Sequence, residues 1–167
     1  MACLGVHFAL SEAEVEQLRS LPSDEERLDH LREQVEERYF EELPEFFCES
    51  DKAWDAMHRA LADGHLTWDG GDYPLNHVVL AGELLYEGND YVLSLKSPTQ
   101  VRDIAAALAP IDAAEFRRRY DLIDAASYEG ELADDDFAYT WTNFQDVREF
   151  YGRAAAAGRA VLFTVDQ

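Results

Sequence analysis

The fold is decided near the start of the chain, in residues 4–14, which read LGVHFALSEAE. Every second residue from Leu4 to Leu10 is apolar, which is the period of a strand with one face on the core. Ser11 and Glu14 then form a capping-box pattern, in which the hydroxyl accepts from a free helix N–H and the glutamate reaches back. The chain therefore opens with a strand that leads directly into a helix.

Similar start and stop signals recur along the rest of the chain. They predict a longer helix from Ser23 to Pro44, a helix capped by Asp51 that runs to about Asp63, helices opened by Ser97-Pro98 and by Asp112, and a last helix capped by Thr142 or Asn143 and ended by Gly158. Tyr91–Leu95 and Ala160–Val165 are predicted strands, the former in a hairpin with a strand near Leu84–Tyr86. We expect the first and last strands to pair centrally.

Helices that alternate with a few strands, without a steady βαβ pattern, indicate an α+β fold. We predict about six to seven helices packed on a small sheet of about three to four strands. The length of 167 residues suits one core, and no Gly/Ser/Pro-rich linker divides it. We therefore expect a single domain over residues 1–167.

The charge of the chain is strongly negative, with 35 acidic and 14 basic side chains and a formal net charge of −21. About half of the excess lies in residues 11–51, which hold fifteen acidic and four basic side chains. Such a field repels phosphate backbones and anionic lipid surfaces. We expect no nucleic-acid or membrane partner, and either a basic protein partner or a merely solvated acidic surface.

The two cysteines, Cys3 and Cys48, are too few for a disulfide framework. One bridge between them is an alternative, but the N-terminal run 2–10 is short and lacks the basic flank of a signal peptide. We therefore expect free thiols in a reducing cytoplasm. The sequence has nothing near the ~20 consecutive apolar residues that a membrane span needs.

Several blocks of the sequence resemble one known family. They are CLGVHFALS at 3–11, DKAWDAMH at 51–58, PL at 74–75 with GE at 82–83, FRRRYD at 116–121, and FY at 150–151 with GRAVLF at 158–163. In this order they are similar to the YfbM-like family of uncharacterised bacterial proteins. The resemblance implies an α+β fold and a cytoplasmic location. It implies no activity, cofactor or catalytic residue.

One helix carries the first candidate site. His58 lies one turn after Trp54, and Asp51 lies a further turn back; a carboxylate beside a histidine fixes its tautomer and raises its basicity. The competing interpretation is that Asp51 caps the helix and His58 is a core histidine. His77 and Glu83 could join His58 in space. The spacing matches no metal-ligand motif, so we expect no metal and no other cofactor.

The second candidate is an acidic and aromatic stretch, in which Asp134-Asp135-Asp136 precedes Phe137, Tyr139 and Trp141. The alternation and central glycine of an EF-hand loop are missing, which argues against a calcium site. The stretch is either a solvated loop or a lid or partner loop, because exposed rings are what binding surfaces use. Together with Trp54, these three rings are our candidate binding residues.

The sequence does not specify a function, since it lacks both a nucleophile elbow and a phosphate-binding glycine loop. Two hypotheses follow. The first is a non-catalytic interaction module, of the kind that an immunity protein or antitoxin represents, acting as a monomer or homodimer. The second is an enzyme or small-ligand binder with a pocket around His58, Trp54 and His77. We favour the first and lean against an enzyme.

Overall fold

The computed structural model describes residues 3–167. In these residues the chain forms one antiparallel sheet of five strands, in the order β2-β1-β5-β4-β3. The strands are β1 (Gly5–Leu10), β2 (Phe47–Asp51), β3 (Glu83–Leu84), β4 (Tyr91–Lys96) and β5 (Ala160–Asp166). The predicted central pairing of the first and last strands is confirmed, with Phe8 opposite Leu162.

Six helices pack on this sheet in the described part of the chain. They are α1 (Glu12–Ser20), α2 (residues 24–42), α3 (Trp54–Leu61), α4 (Pro98–Leu108), α5 (Ala113–Tyr120) and α6 (Asp134–Ala156). Helix α2 is continuous but changes pitch, because its α-helical ends, Asp24–His30 and Glu37–Glu42, flank a π-helical stretch, Leu31–Glu36. The predicted α+β class is confirmed, and the sheet is larger than the three to four strands expected.

Local capping chemistry starts four of the helices as predicted. The Ser11 hydroxyl accepts the Glu14 N–H at 3.3 Å, and the Glu14 carboxylate accepts the Ser11 N–H at 3.1 Å. Ser23, Ser97 and Asp112 accept in the same way from the third helical residues of α2, α4 and α5. These contacts involve only neighbouring residues, so the sequence alone locates them.

The sheet is covered by helices on both faces. Val6, Phe8 and Leu10 pack in one cluster with the buried side chains of α1 and α2. Ala9 lies in a second cluster with α3, α4, α5 and α6. All six residues of β1 are consequently buried, and the prediction of a strand with one face on the core is wrong because the opposite face carries a second helical layer.

Because both faces of the sheet are buried, some polar side chains lie in the interior. They donate hydrogen bonds to the backbone of residues 78–81, here called the carbonyl strap. The Val78 carbonyl accepts a hydrogen bond from the Tyr151 hydroxyl at 2.7 Å and one from His7 Nε2 at 3.0 Å. Lys96 Nζ donates to the next carbonyl, that of Val79. Ser94 Oγ donates to the Leu80 carbonyl at 2.6 Å and to the Ala81 carbonyl at 3.3 Å. Each strap carbonyl is thereby paired, as buried backbone groups require.

Burial changes the ionisation of two of these side chains. Lys96 and His7 are both fully buried. Burial lowers the pKa of Lys96 well below its ordinary value. Burial, followed by the charge of Lys96, lowers the pKa of His7 to about 3. The strap is therefore held by groups that the interior favours in their uncharged forms.

The prediction that Asp51 caps the helix after it is wrong. Helix α3 starts at Trp54 with Ala53 as its N-cap residue, whereas Asp51 ends β2 with a φ of 47°. The sequence hides β2 because its inward side chains are Cys48 and Ser50, which are too small or polar to show hydrophobic alternation.

The prediction that α6 starts at Thr142 or Asn143 is also wrong. The helix begins at Asp134, since three aspartates in the first turn interact favourably with the positive end of the helix dipole. Thr140 and Thr142 point their hydroxyls back to carbonyls four residues earlier, at 2.8 and 2.9 Å. Those bonds satisfy the threonines inside the helix instead of at its cap. The acidic stretch is thus a helix start and not a loop.

Within residues 3–167, no helix has both the length and the apolar character that crossing a membrane requires.

The two glycines near the end of α6 provide a test of backbone conformation. A Cβ added at either Gly152 or Gly158 would meet no atom within 4 Å, but only Gly158 has a positive φ, of 67°. Gly152→Ala should stabilise the protein by about 0.5–1 kcal/mol, because alanine loses less backbone entropy in a helix. Gly158→Ala should destabilise it by about 1 kcal/mol through left-handed strain. Urea unfolding of both variants measures the difference, and equal shifts would contradict it.

Candidate functional site

His58 is a core histidine. Its side chain is fully buried, and its Nε2 donates to the Thr67 carbonyl at 2.8 Å. Burial lowers the pKa of His58 to about 4, an effect that the bond to Thr67 partly opposes. Nδ1 has no hydrogen-bond partner in the described structure. A neutral imidazole that solvent does not reach is not placed to act as an acid–base catalyst.

The other members of the first candidate site are held apart by their own partners. Trp54 is buried, and its indole N–H donates to the Cys3 carbonyl at 2.9 Å. His77 Nδ1 contacts the amide oxygen of Asn76 at 2.7 Å. Since Trp54 and His58 are core residues, the structure gives no support to a pocket around Trp54, His58 and His77.

Glu83 faces a different surface from the buried His58. It lies exposed on β3, where its carboxylate receives two bonds from the Arg19 guanidinium at 2.9 and 3.0 Å. Residues 3–167 contain no group of three or more His, Cys, Asp or Glu side chains that could hold a metal ion.

The structure does bring together Asp51 and Tyr139. The Tyr139 hydroxyl donates to the Asp51 carboxylate at 2.6 Å and accepts the Lys52 N–H at 3.1 Å. Tyr139 is 38% exposed. Burial, followed by the bond to Asp51, raises the pKa of Tyr139 to about 12. The start of α6 is thereby fastened to the end of β2, and one face of Tyr139 remains available to a ligand.

The other two predicted rings have structural surroundings. Phe137 and Trp141 are half-buried and pack against Phe116, with ring centroids 6.1 and 5.6 Å away. Arg117 covers the Phe137 ring at 4.8 Å. Of the three rings predicted from the α6 stretch, Tyr139 is the exposed one, and it lines a cavity.

That cavity, here called the tyrosine–acid cavity, has a volume of about 420 Å³ and lies between α3 and the first turns of α6. Its lining consists of Lys52, Ala53, Asp55, Tyr128, Glu129, Gly130, Asp136, Tyr139 and Thr140. This lining contains three carboxylates, those of Asp55, Glu129 and Asp136, and one basic residue, Lys52. The sequence pointed to its α6 side but missed Asp55, Tyr128 and Glu129, because the α3 helix and the loop before α6 meet only in the folded chain.

Asp136 is fixed in the cavity by two phenols. The Tyr120 hydroxyl donates to its carboxylate at 2.5 Å and the Tyr128 hydroxyl at 3.1 Å. Burial and the Asp136 charge raise the pKa of both tyrosines, so the two hydroxyls remain donors. Within residues 3–167 no basic side chain pairs with Asp136 or with Glu129. The phenols hold Asp136 in place, and neither carboxylate has an ion-pair partner among the described residues.

Asp55, the third carboxylate, is already matched by a base. Arg59 Nε donates to it at 2.6 Å, and the Arg59 side chain is only 4% exposed. The same guanidinium donates to Ser127 Oγ at 2.9 Å and lies 5.4 Å from the centroid of the Tyr128 ring. Arg59 thus shows how this wall combines a carboxylate, a hydroxyl and an aromatic face around a guanidinium.

Comparison with known proteins identifies one family. The model of DUF1877, a domain of unknown function, matches residues 1–164. The crystal structure of YfbM from Escherichia coli, a protein of unknown function, aligns with a TM-score of 0.68 and 18% identity over 97% of this chain and 99% of that chain. At this identity the likeness shows the fold. No curated protein matches the chain.

The neutral state of His58 should make stability depend on pH. Its folded pKa of about 4 lies below the ordinary 6.5, so its contribution is complete above pH 6.5 and is lost as the pH falls towards 4. His58→Gln keeps an N–H for the Thr67 carbonyl but does not titrate. The unfolding free energy of His58→Gln should therefore fall less over this range than that of the unmodified protein, by on the order of 3 kcal/mol.

Urea unfolding between pH 7 and 4 measures this loss. His65→Gln is the matched control, since the His65 side chain is 53% exposed. An identical pH slope in His58→Gln and in the unmodified protein would contradict the assignment of His58 as a buried neutral group.

Proposed function

The chain belongs to the DUF1877 family of domains of unknown function. From the charges and geometry of its surface we propose that it is a protein-interaction module that binds a basic partner protein. An immunity protein or antitoxin that covers a basic surface of its target is one form of such a module. The observation that carries the proposal is the tyrosine–acid cavity, where Asp136 and Glu129, which form no ion pair within residues 3–167, lie beside the exposed Tyr139.

The charges of that cavity suit a cationic side chain. A guanidinium or ammonium group that enters it would meet Asp136, whose orientation the phenols of Tyr120 and Tyr128 already fix. Fixed acceptors lose little entropy on binding, and hydrogen bonds between charged groups are stronger than neutral ones. The Tyr139 ring adds a surface on which a cation can lie. An anchoring Lys or Arg of a partner fits this lining.

The negative charge of helix α2 would attract such a partner towards the protein. Glu33, Glu37, Glu41 and Glu42 are exposed along its outer side, next to Arg38. The nearest ion pairs of Arg38, with Glu14 and Glu42, are long, at 3.9 and 4.0 Å. The remaining negative charge contributes to a long-range field that speeds the encounter with a cationic protein and is screened by salt.

The thiols support a location in a reducing compartment such as the bacterial cytoplasm. Cys3 and Cys48 are both free. Cys48 is buried, and burial is the main cause that raises its pKa to about 12, so it is a poor nucleophile. The Cys48 thiol therefore gives no support to an enzyme that would use it as a nucleophile.

A pair of charge-matched variants tests the proposal. Asp136→Asn with Glu129→Gln should weaken binding of an arginine-containing peptide at least tenfold, because the loss of even one charge-assisted contact costs about 1.5–3 kcal/mol. Asp135→Asn with Glu131→Gln removes the same charge from exposed residues outside the cavity lining. That control should bind as the unmodified protein does. Fluorescence anisotropy, with a citrulline peptide as the neutral probe, provides the measurement.

The peptide experiment has a clear negative outcome. Equal weakening in the two double variants would mean that only net charge matters, and the cavity would lose its role. Replacing Glu33, Glu36, Glu37, Glu41 and Glu42 by glutamine should instead slow association and flatten its salt dependence. Salt-resolved capture of basic proteins from a lysate, unchanged by that substitution, would contradict the steering role of α2.

A further inference from the structure

Strand β2 lies at one edge of the sheet, and within residues 3–167 its outer side has no strand partner. It pairs with β1 alone, with Phe47 opposite Phe8 and Glu49 opposite Val6. An edge of this kind presents backbone N–H and C=O groups on which an extended segment of another chain can add a strand. Main-chain hydrogen bonds hold such a segment, and the side chains along the edge select its sequence.

The Phe47 end of this edge is apolar. Phe40, near the end of α2, is 41% exposed, and its ring centroid lies 4.9 Å from that of Phe47. The fully buried Phe8 packs beneath it, with ring centroids 5.9 Å apart. The core under α2 therefore reaches the surface beside β2. A partner side chain opposite Phe47 would cover the exposed part of Phe40, so an apolar side chain fits there.

The next side chain on the same face of β2 is acidic. Glu49 lies two residues after Phe47, is exposed, and forms no ion pair in the described part of the chain. Side chains directly opposite each other on one face of a sheet interact, and opposite charges stabilise the pair. The residue opposite Glu49 should therefore be basic, and it stands two positions from the apolar one.

A bulge then directs the edge towards the tyrosine–acid cavity. The register with β1 shifts at this point, and Ser50 has no opposite residue. The Asp51 carboxylate accepts the Tyr139 hydroxyl, and the next residue, Lys52, lines the cavity. Bulges at sheet edges end regular pairing and redirect side chains. A segment paired with Phe47 and Glu49 consequently reaches the mouth of the cavity with its next residues.

We propose that the basic partner docks as an extended strand on the outer edge of β2, antiparallel to it, through a basic-x-basic-x-apolar sequence. The first basic residue enters the tyrosine–acid cavity, the second lies opposite Glu49, and the apolar residue lies opposite Phe47 and against Phe40. Every pairing in the sheet is antiparallel, and the docked segment continues that pattern. This inference rests on the proposed function, because the anchoring residue is the one that the cavity receives.

Backbone-methylated peptides test the strand geometry. The probe is the fluorescein-labelled peptide TRTKTLT, and its anisotropy with the full chain measures binding. One isomer carries N-methyl groups on the amides of its arginine, lysine and leucine, and a second carries them on the threonines between these residues. Only alternate amides of an added strand point towards β2, so one isomer should bind at least tenfold more weakly than the other. Equal affinities of the two isomers would overturn the docking geometry.

A charge exchange at Glu49 tests the register. Glu49→Lys should weaken TRTKTLT at least tenfold and should bind TRTETLT as tightly as the unmodified protein binds TRTKTLT. Glu25→Lys, at an exposed residue of α2, makes the same change in net charge and should produce no such exchange. Phe40→Ser should weaken TRTKTLT about fivefold through the lost apolar contact, whereas Leu122→Ser, at a 69% exposed residue after α5, should not. Thermal unfolding checks that each variant is folded.

The variant Asp136→Asn with Glu129→Gln separates this inference from the proposed function. Loss of TRTKTLT binding in that variant, without any effect of Glu49→Lys or of the methylation pattern, would refute docking on β2 and leave the cavity as the anchor of a basic partner. Failure of every basic peptide to bind would refute the proposed function itself. A dimer of the chain alone that Phe40→Ser dissociates, measured by light scattering, would assign the edge to a second copy and refute the proposal.

Discussion

The pairing of β1 with β5 at the centre of the sheet constrains the rest of the molecule. Both strands are buried on both faces, so every polar group that they and their neighbour β4 present must find a partner inside the protein. The carbonyl strap answers this requirement. His7 from β1, Ser94 and Lys96 from β4, and Tyr151 from α6 all donate to it.

This arrangement also keeps His7 and His58 away from solvent. His7 and His58 each give one ring nitrogen to a backbone carbonyl and hold their neutral form by burial. The residues that line the tyrosine–acid cavity lie elsewhere, on the outer side of one helical layer, and include Asp136 and Tyr139.

Local signals in the sequence were sufficient for most of the fold. Helix starts at Ser11, Ser97 and Asp112 depend on contacts between residues three apart, and the apolar strands β1 and β5 show their period. Strand β2 is not predicted, because its small inward side chains show no hydrophobic alternation. Its hydrogen bonds to β1 form only in the folded chain. The start of α6 was misplaced because its threonines resemble caps until their carbonyl partners are known.

The candidate site was only half visible in the sequence for a similar reason. Asp51, Tyr139 and the three aspartates before it could be singled out by type. Their meeting with Asp55 and Tyr128 depends on tertiary packing between α3, the loop before α6 and α6 itself. Conversely, His58 matched a catalytic pattern by type and spacing, and only its burial shows that it serves the core.

Strands β2 and β3 are the two edge strands of the sheet, and they differ in length and charge. Strand β3 has only two residues, whereas β2 has five and carries the outward acidic side chains Glu49 and Asp51. A second molecule that tried to extend the sheet at β2 would set like charges side by side, and at β3 it would find too little backbone to pair with. Both edges therefore disfavour edge-to-edge polymerisation of the sheet. We expect concentrated solutions of the protein to form no fibrils.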